Sequence, residues 1–145
     1  SIKISRCPNS CGQHEKATIG FYGGGGRMGK NMYPLYLMSL GGRADEQAML
    51  GLMCMKIPAK RVIPVILKII EIFKSEKKAG ETLNSWVHRV ISGYGGPNIK
   101  SIKDIKQILE PTVVAPAIEV DKDFYADYGS DGGFHAKTGK GECAA

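Results

Sequence analysis

No run of this sequence is apolar for long enough to cross a membrane. Its most hydrophobic stretch, residues 62–73, is interrupted by Lys68 and Glu71, short of the roughly 18 clean apolar residues that a span requires. The opening SIKISRCPN has no apolar h-region, so no secretory signal is expected. Cysteine is scarce. The four residues, Cys7, Cys11, Cys54 and Cys143, are spaced too unevenly for a secreted disulfide framework. The cytoplasm is therefore the expected compartment, with the thiols reduced or bound to metal. The three histidines, His14, His88 and His135, are scattered, and no Ser-His-Asp grouping can be assigned.

One further absence is specific. Residues 24–31, GGGRMGKN, fit G-x-x-x-x-G-K and then break. A phosphate-binding loop needs Ser or Thr next, to hold magnesium, where this chain has Asn31. Such a loop also opens a helix, whereas MYPLYLMSL reads as a strand with Pro34 inside it. The glycine run is expected to be a flexible hairpin loop, with Arg27 and Lys30 able to meet an anionic group of a cofactor or partner.

What is present is a basic body. The net charge is +6, unevenly spread: residues 1–112 hold 17 Lys and Arg against 8 Asp and Glu, and residues 113–145 hold 3 against 6. A basic surface steers acidic partners towards it. At 145 residues and 43% hydrophobic content the chain can bury one core.

Strand density appears at KATIGFYG and again at MYPLYLMSLGG. Residues 44–55 are helical in composition. KIPAKRVIPVILKIIEIFKSEKKAG predicts the clearest helix, with Pro64 in its first turn, an inward stripe of Val65, Ile66, Ile69, Ile70 and Phe73, and Gly80 as its stop. ETLNSWVHRVISG predicts a second, with Leu83, Trp86, Val87, Val90 and Ile91 inward and His88 outward. SIKDIKQILEP predicts a third, capped by Ser101, with Ile102, Ile105, Ile108 and Leu109 inward. From Val113 the periodicity fades. The expectation is an α+β domain over residues 1–112, a short antiparallel strand pair with about three helices, followed by an extended or mobile glycine-rich tail over 113–145.

The chemical signal is CPNSCGQ. Cys7 and Cys11 stand in a C-x3-C spacing that lets two thiolates converge on one object. Pro8 fixes φ, Asn9 tolerates turn geometry, and Gly12 lets the backbone bend away or approach closely. Thiolates hold iron–sulfur clusters, normally four per cluster. Zinc also wants four ligands, and only Cys7, Cys11 and His14 are near one another. Cys54, in GLMCMKI, reads as a buried thiol.

The stretch has company. IKISRCPNSCGQHEKATIGFYG, YPLYLMSLGG, KIPAKRV and GETLNSWVHRV follow in this order over residues 1–92. Together they resemble the C-terminal portion of the sirohaem-containing nitrite and sulfite reductases, in which a C-P-N-[SG]-C-G stretch precedes similar strands and an I-P-A-K-R-V segment. The resemblance implies that Cys7 and Cys11 supply two of four thiolates to a [4Fe–4S] cluster. It also implies that Cys11 bridges to the sirohaem iron as its axial ligand, with Asn9 in the loop around the cluster. The implied chemistry is multi-electron reduction of nitrite to ammonia or of sulfite to sulfide. An acidic donor such as a ferredoxin would feed electrons in, and neither a membrane nor nucleic acid is expected as partner. Ser10, where many sulfite reductases have glycine, leans towards nitrite.

The departures are informative. Arg6 stands where the family has glycine, and Glu15-Lys16 replaces a more apolar or His-containing pair. The family's other cysteine pair, C-x5-C, is missing from these 145 residues, as are the Arg and Lys residues that grip the sirohaem and the substrate. The chain alone is therefore expected to be inactive, with the remaining ligands in the same gene product or a separate chain. The alternative is a non-catalytic α+β binding module, in which Cys7 and Cys11 form a zinc half-site or redox pair and the basic face holds a partner.

Overall fold

The computed structural model describes residues 1–129 and 132–135. It is α+β, with one four-stranded sheet and three α-helices. The strands β1 (Ile2–Ser5), β2 (Ile19–Met28), β3 (Asn31–Leu40) and β4 (Leu52–Pro58) lie in sequence order across the sheet. β1 runs parallel to β2, with Ile2 opposite Ile19, and the other neighbours are antiparallel. The sheet is thus twice as wide as the expected strand pair, which forms its middle.

Two sequence expectations are overturned in the sheet. The glycine run is not a loop. Residues 23–28 continue β2 in unbroken register with β3, from Gly23 opposite Tyr36 to Met28 opposite Asn31. Glycines carry no side chains to show a period of two, so the strand is invisible to pattern reading. The turn is confined to Gly29 and Lys30. Gly29 has φ 59°, the left-handed conformation that a two-residue hairpin turn assigns to glycine. This strand-to-strand geometry also removes the phosphate-loop reading. Residues 52–55 are likewise strand and not helix. Leu52, Met53, Cys54 and Met55 pair with or flank β3 across a bulge at Met38 and Ser39, so sheet pairing overrides their helical propensity.

The helices α1 (Val62–Glu76), α2 (Leu83–Ile91) and α3 (Ile102–Leu109) cover one face. Phe21, Met38 and Ile57 from the strands meet Val65, Ile69, Trp86, Val87 and Ile105 in one core. α1 is rotated slightly from the expected stripe: Ile72 is buried, while Ile66 and Phe73 are only partly so. It ends at Glu76, before Gly80. α2 begins where expected, with the Thr82 hydroxyl accepting the Ser85 N–H at 3.2 Å. His88 does not face out. It is half-buried, and its Nε2 is enclosed without a hydrogen-bond partner. In α3, Ile105 and Leu109 are buried but Ile108 is exposed. There the Asp104 carboxylate accepts the N–H groups of Lys100 and Ser101 at 2.8 Å each, which holds its pKa below the ordinary carboxylate value.

Within the expected tail, a short 3-10 turn at Lys122–Tyr125 is anchored. Phe124 and Tyr125 are buried, with ring centroids 5.7 and 5.8 Å from that of Tyr33 on β3. Arg61 lies over the Phe124 ring. Cys143 lies outside the described residues.

Candidate functional site

The C-x3-C segment leaves the end of β1 and returns through the 3-10 turn His14–Lys16 to the start of β2. Its path is tight. Ser10 and Gln13 both have positive φ, 57° and 55°, an uncommon state for non-glycine residues that surrounding contacts must hold. The Gln13 N–H donates to the Ser10 carbonyl at 2.7 Å. Lys3 Nζ donates to Gln13 Oε1 at 2.8 Å, tying the loop to the edge strand.

The loop is seated on the sheet by Ser5, the one buried residue of β1. Its hydroxyl accepts the Gly12 N–H at 3.2 Å and lies 2.9 Å from Nδ1 of His14. His14 is itself buried and lies 4.9 Å, centroid to centroid, from the Tyr22 ring. Two glycines allow this closeness. A Cβ at Gly12 would stand 2.7 Å from the Ile4 carbonyl oxygen, and one at Gly23 would stand 2.5 Å from that of Arg6. Gly23 therefore admits the backbone of Arg6.

On this frame Cys11 is exposed and Cys7 half-exposed, both as free thiols. Asn9 lies exposed in the turn between them. The third candidate ligand is elsewhere engaged, since His14 is turned inward to Ser5 and Tyr22. Among the described residues no group of three or more His, Cys, Asp or Glu could hold a metal ion. Among the described residues, two thiols, those of Cys7 and Cys11, are open to the exterior. That donor set fits half of a four-thiolate site and no complete one. Cys54 contrasts with this pair. It is buried in the core, and burial pushes its thiol up to about 11, against a smaller lowering by Lys106. The structure does not bring Cys54 into a ligand group with Cys7 and Cys11.

Sequence reasoning missed Ser5 and His14 as supports of this loop. Ile2 and Ile4 are exposed while Ser5 is buried, the reverse of what the apolar–polar alternation of IKIS implies, so no local pattern marked Ser5.

No family model matches the chain. Over 87 residues, 59% of this chain, it is 30% identical to the assimilatory ferredoxin-dependent nitrite reductase of Haloferax mediterranei. Its fold is similar to that of the Mycobacterium tuberculosis NirA protein, with a TM-score of 0.59 and 24% identity over 72% of this chain. Both likenesses are partial, and together they support a nitrite/sulfite reductase-like domain. The chain spans a small part of each relative, 15% of the Haloferax protein and 18% of the NirA chain. Within this domain, the C-x3-C loop is joined to the α+β scaffold through β1 and β2. No helix among the described residues is long and apolar enough to cross a membrane.

Proposed function

We propose that this domain supplies half of the cofactor ligands of a sirohaem-dependent reductase that converts nitrite to ammonia or sulfite to sulfide. The observation that carries the reading is the pair of outward-facing thiols on a rigidly seated C-P-N-S-C-G loop. Cys7 and Cys11 would hold a [4Fe–4S] cluster, and Cys11 would also hold the sirohaem. When bound, the cluster and sirohaem supply the electrons and the reducing centre. The chain's own part is positional. Ser5, Gly12 and His14 fix where the two sulfurs emerge, and Asn9 shapes the turn between them.

The remaining two thiolates come from a polypeptide segment bearing C-x5-C, in the same gene product or in a separate chain. The basic body, 17 Lys and Arg against 8 Asp and Glu over residues 1–112, suits an acidic one-electron donor and an anionic substrate. Arg6, beside Cys7, would favour the more negative reduced state of the cluster through its positive charge. The cytoplasm suits the reduced thiols.

The test is co-expression of this chain with a polypeptide that carries the C-x5-C pair, followed by iron, sulfide and visible-spectrum analysis of the purified complex. A complex with a cluster and sirohaem bands, both lost in Cys11→Ser, supports the reading. Zinc at the Cys7–Cys11 pair, or a colourless complex, points instead to the binding module.

A further inference from the structure

The hairpin tip and the returning chain enclose a second feature, remote in sequence from the cysteine loop. Arg27 lies near the end of β2 and Lys30 in the β2–β3 turn, and His135 comes from the segment that follows the anchored Lys122–Tyr125 turn. With Asn31, Tyr125 and Phe134 they line a crevice of about 330 Å³.

Its walls are held independently of any ligand. The Tyr125 hydroxyl donates to the Pro116 carbonyl at 2.6 Å and lies 3.3 Å from the Met28 sulfur. The Phe134 N–H donates to the Tyr125 carbonyl at 2.8 Å, and Ala126 bridges to Gly133. The Tyr33 ring carries both Phe124 and Tyr125. Crevice and hairpin are therefore one body.

Some basic groups have carboxylate partners: Arg43 with Asp45, Arg89 with Glu81, Lys60 with Asp121. Among the described residues no carboxylate pairs with Arg27, Lys30 or His135. Asp121 and Asp127 are turned to backbone N–H groups of their own segment. Glu119 is the nearby carboxylate that acts on Tyr125.

We propose that this crevice binds a compact oxyanion, a phosphate group either free or at the end of a larger molecule. The Arg27 guanidinium offers a planar fork for two oxygens, Lys30 a point charge, and the Asn31 amide a neutral donor. No helix N-terminus contributes, so side chains carry the recognition, and binding weakens as ionic strength rises.

The experiment is titration of the chain with inorganic phosphate, pyrophosphate and adenosine monophosphate at fixed ionic strength, with chloride as control. The readout is the amide shifts of Arg27, Lys30 and Asn31 by NMR. Saturable binding at these amides is expected, weakened at least tenfold in R27Q/K30Q. That variant should keep the wild-type melting temperature, because neither side chain reaches the core. Tighter binding of the nucleoside monophosphate identifies an esterified ligand, and equal or weaker binding identifies the free anion. Shifts that never saturate, or equal affinity in R27Q/K30Q, overturn the proposal.

Discussion

The Ser5 hydroxyl lies 2.9 Å from Nδ1 of His14 and accepts the Gly12 N–H at 3.2 Å, so one buried oxygen joins the edge strand to both sides of the cysteine loop's return. Ser5→Ala leaves the buried His14 Nδ1 without that partner and releases the Gly12 N–H, at a cost of about 1–3 kcal/mol. Urea unfolding monitored by circular dichroism should show a lower midpoint with unchanged slope. A midpoint equal to wild type would remove Ser5 from its role in seating the loop.

Gly12→Ala attacks the same seat sterically. The added Cβ would stand 2.7 Å from the Ile4 carbonyl oxygen and 2.8 Å from Ser5 Oγ, so strand or loop must shift. Such overpacking costs about 1–3 kcal/mol. The amide shifts of residues 4–14 should move while those of α1 stay in place, and a spectrum unperturbed around Ser5 would contradict the close approach.

The thiols should separate by accessibility. Cys11 is exposed, Cys7 half-exposed, and Cys54 buried with its thiol raised to about 11. Since the thiolate is the nucleophile, iodoacetamide at pH 8 should label Cys11 and Cys7 in the native chain. Cys54 should label only under denaturing conditions, with peptide mapping as the measurement. Native labelling of Cys54 at the rate of Cys11 would mean that it is not a core residue.

Arg89 organises the far side of the helices. Its Nε and Nη2 reach Glu81 at 2.7 and 2.8 Å, and it also donates to the Glu76 and Tyr94 carbonyls. Hydrogen bonding from Arg89 holds the Glu81 carboxyl down to about 2, from an ordinary 4.5. A depressed carboxylate stabilises the fold fully above its unfolded pKa. Its contribution fades as pH falls from about 4.5 towards about 2. Glu81→Gln should therefore lower the urea midpoint at pH 7, by about 1 kcal/mol. The gap to wild type should narrow across that acid range, and a gap constant down to pH 2 would contradict the pairing.

Phe124→Ala removes the ring packed between Tyr33 and Arg61. Limited proteolysis should then cut residues 114–129 several-fold faster, leaving residues 19–109 protected. Unchanged cleavage would show that the docked turn does not depend on this contact.

The sequence made some elements legible and hid others for physical reasons. α2 stood out because Leu83, Trp86, Val87, Val90 and Ile91 repeat at helical spacing. The start of β2 stood out through the β-branched and aromatic density of Thr18, Ile19, Phe21 and Tyr22. The second half of β2 was hidden because Gly23 to Gly26 have no side chains to alternate. β4 was hidden because Leu52 to Met55 favour helices until β3 offers a partner. The cysteine pair announced itself by spacing. Its support did not, because Ser5 and His14 meet through tertiary folding, and no local pattern marks either residue.

The most direct measurement is the iron and acid-labile sulfide content of this chain purified alone, beside the same chain co-expressed with a polypeptide carrying the C-x5-C pair. With two of four thiolates here, the account predicts well under four irons per chain and no sirohaem band when alone, and a complete [4Fe–4S] centre in the complex. A fully loaded, coloured centre on this chain by itself would contradict it.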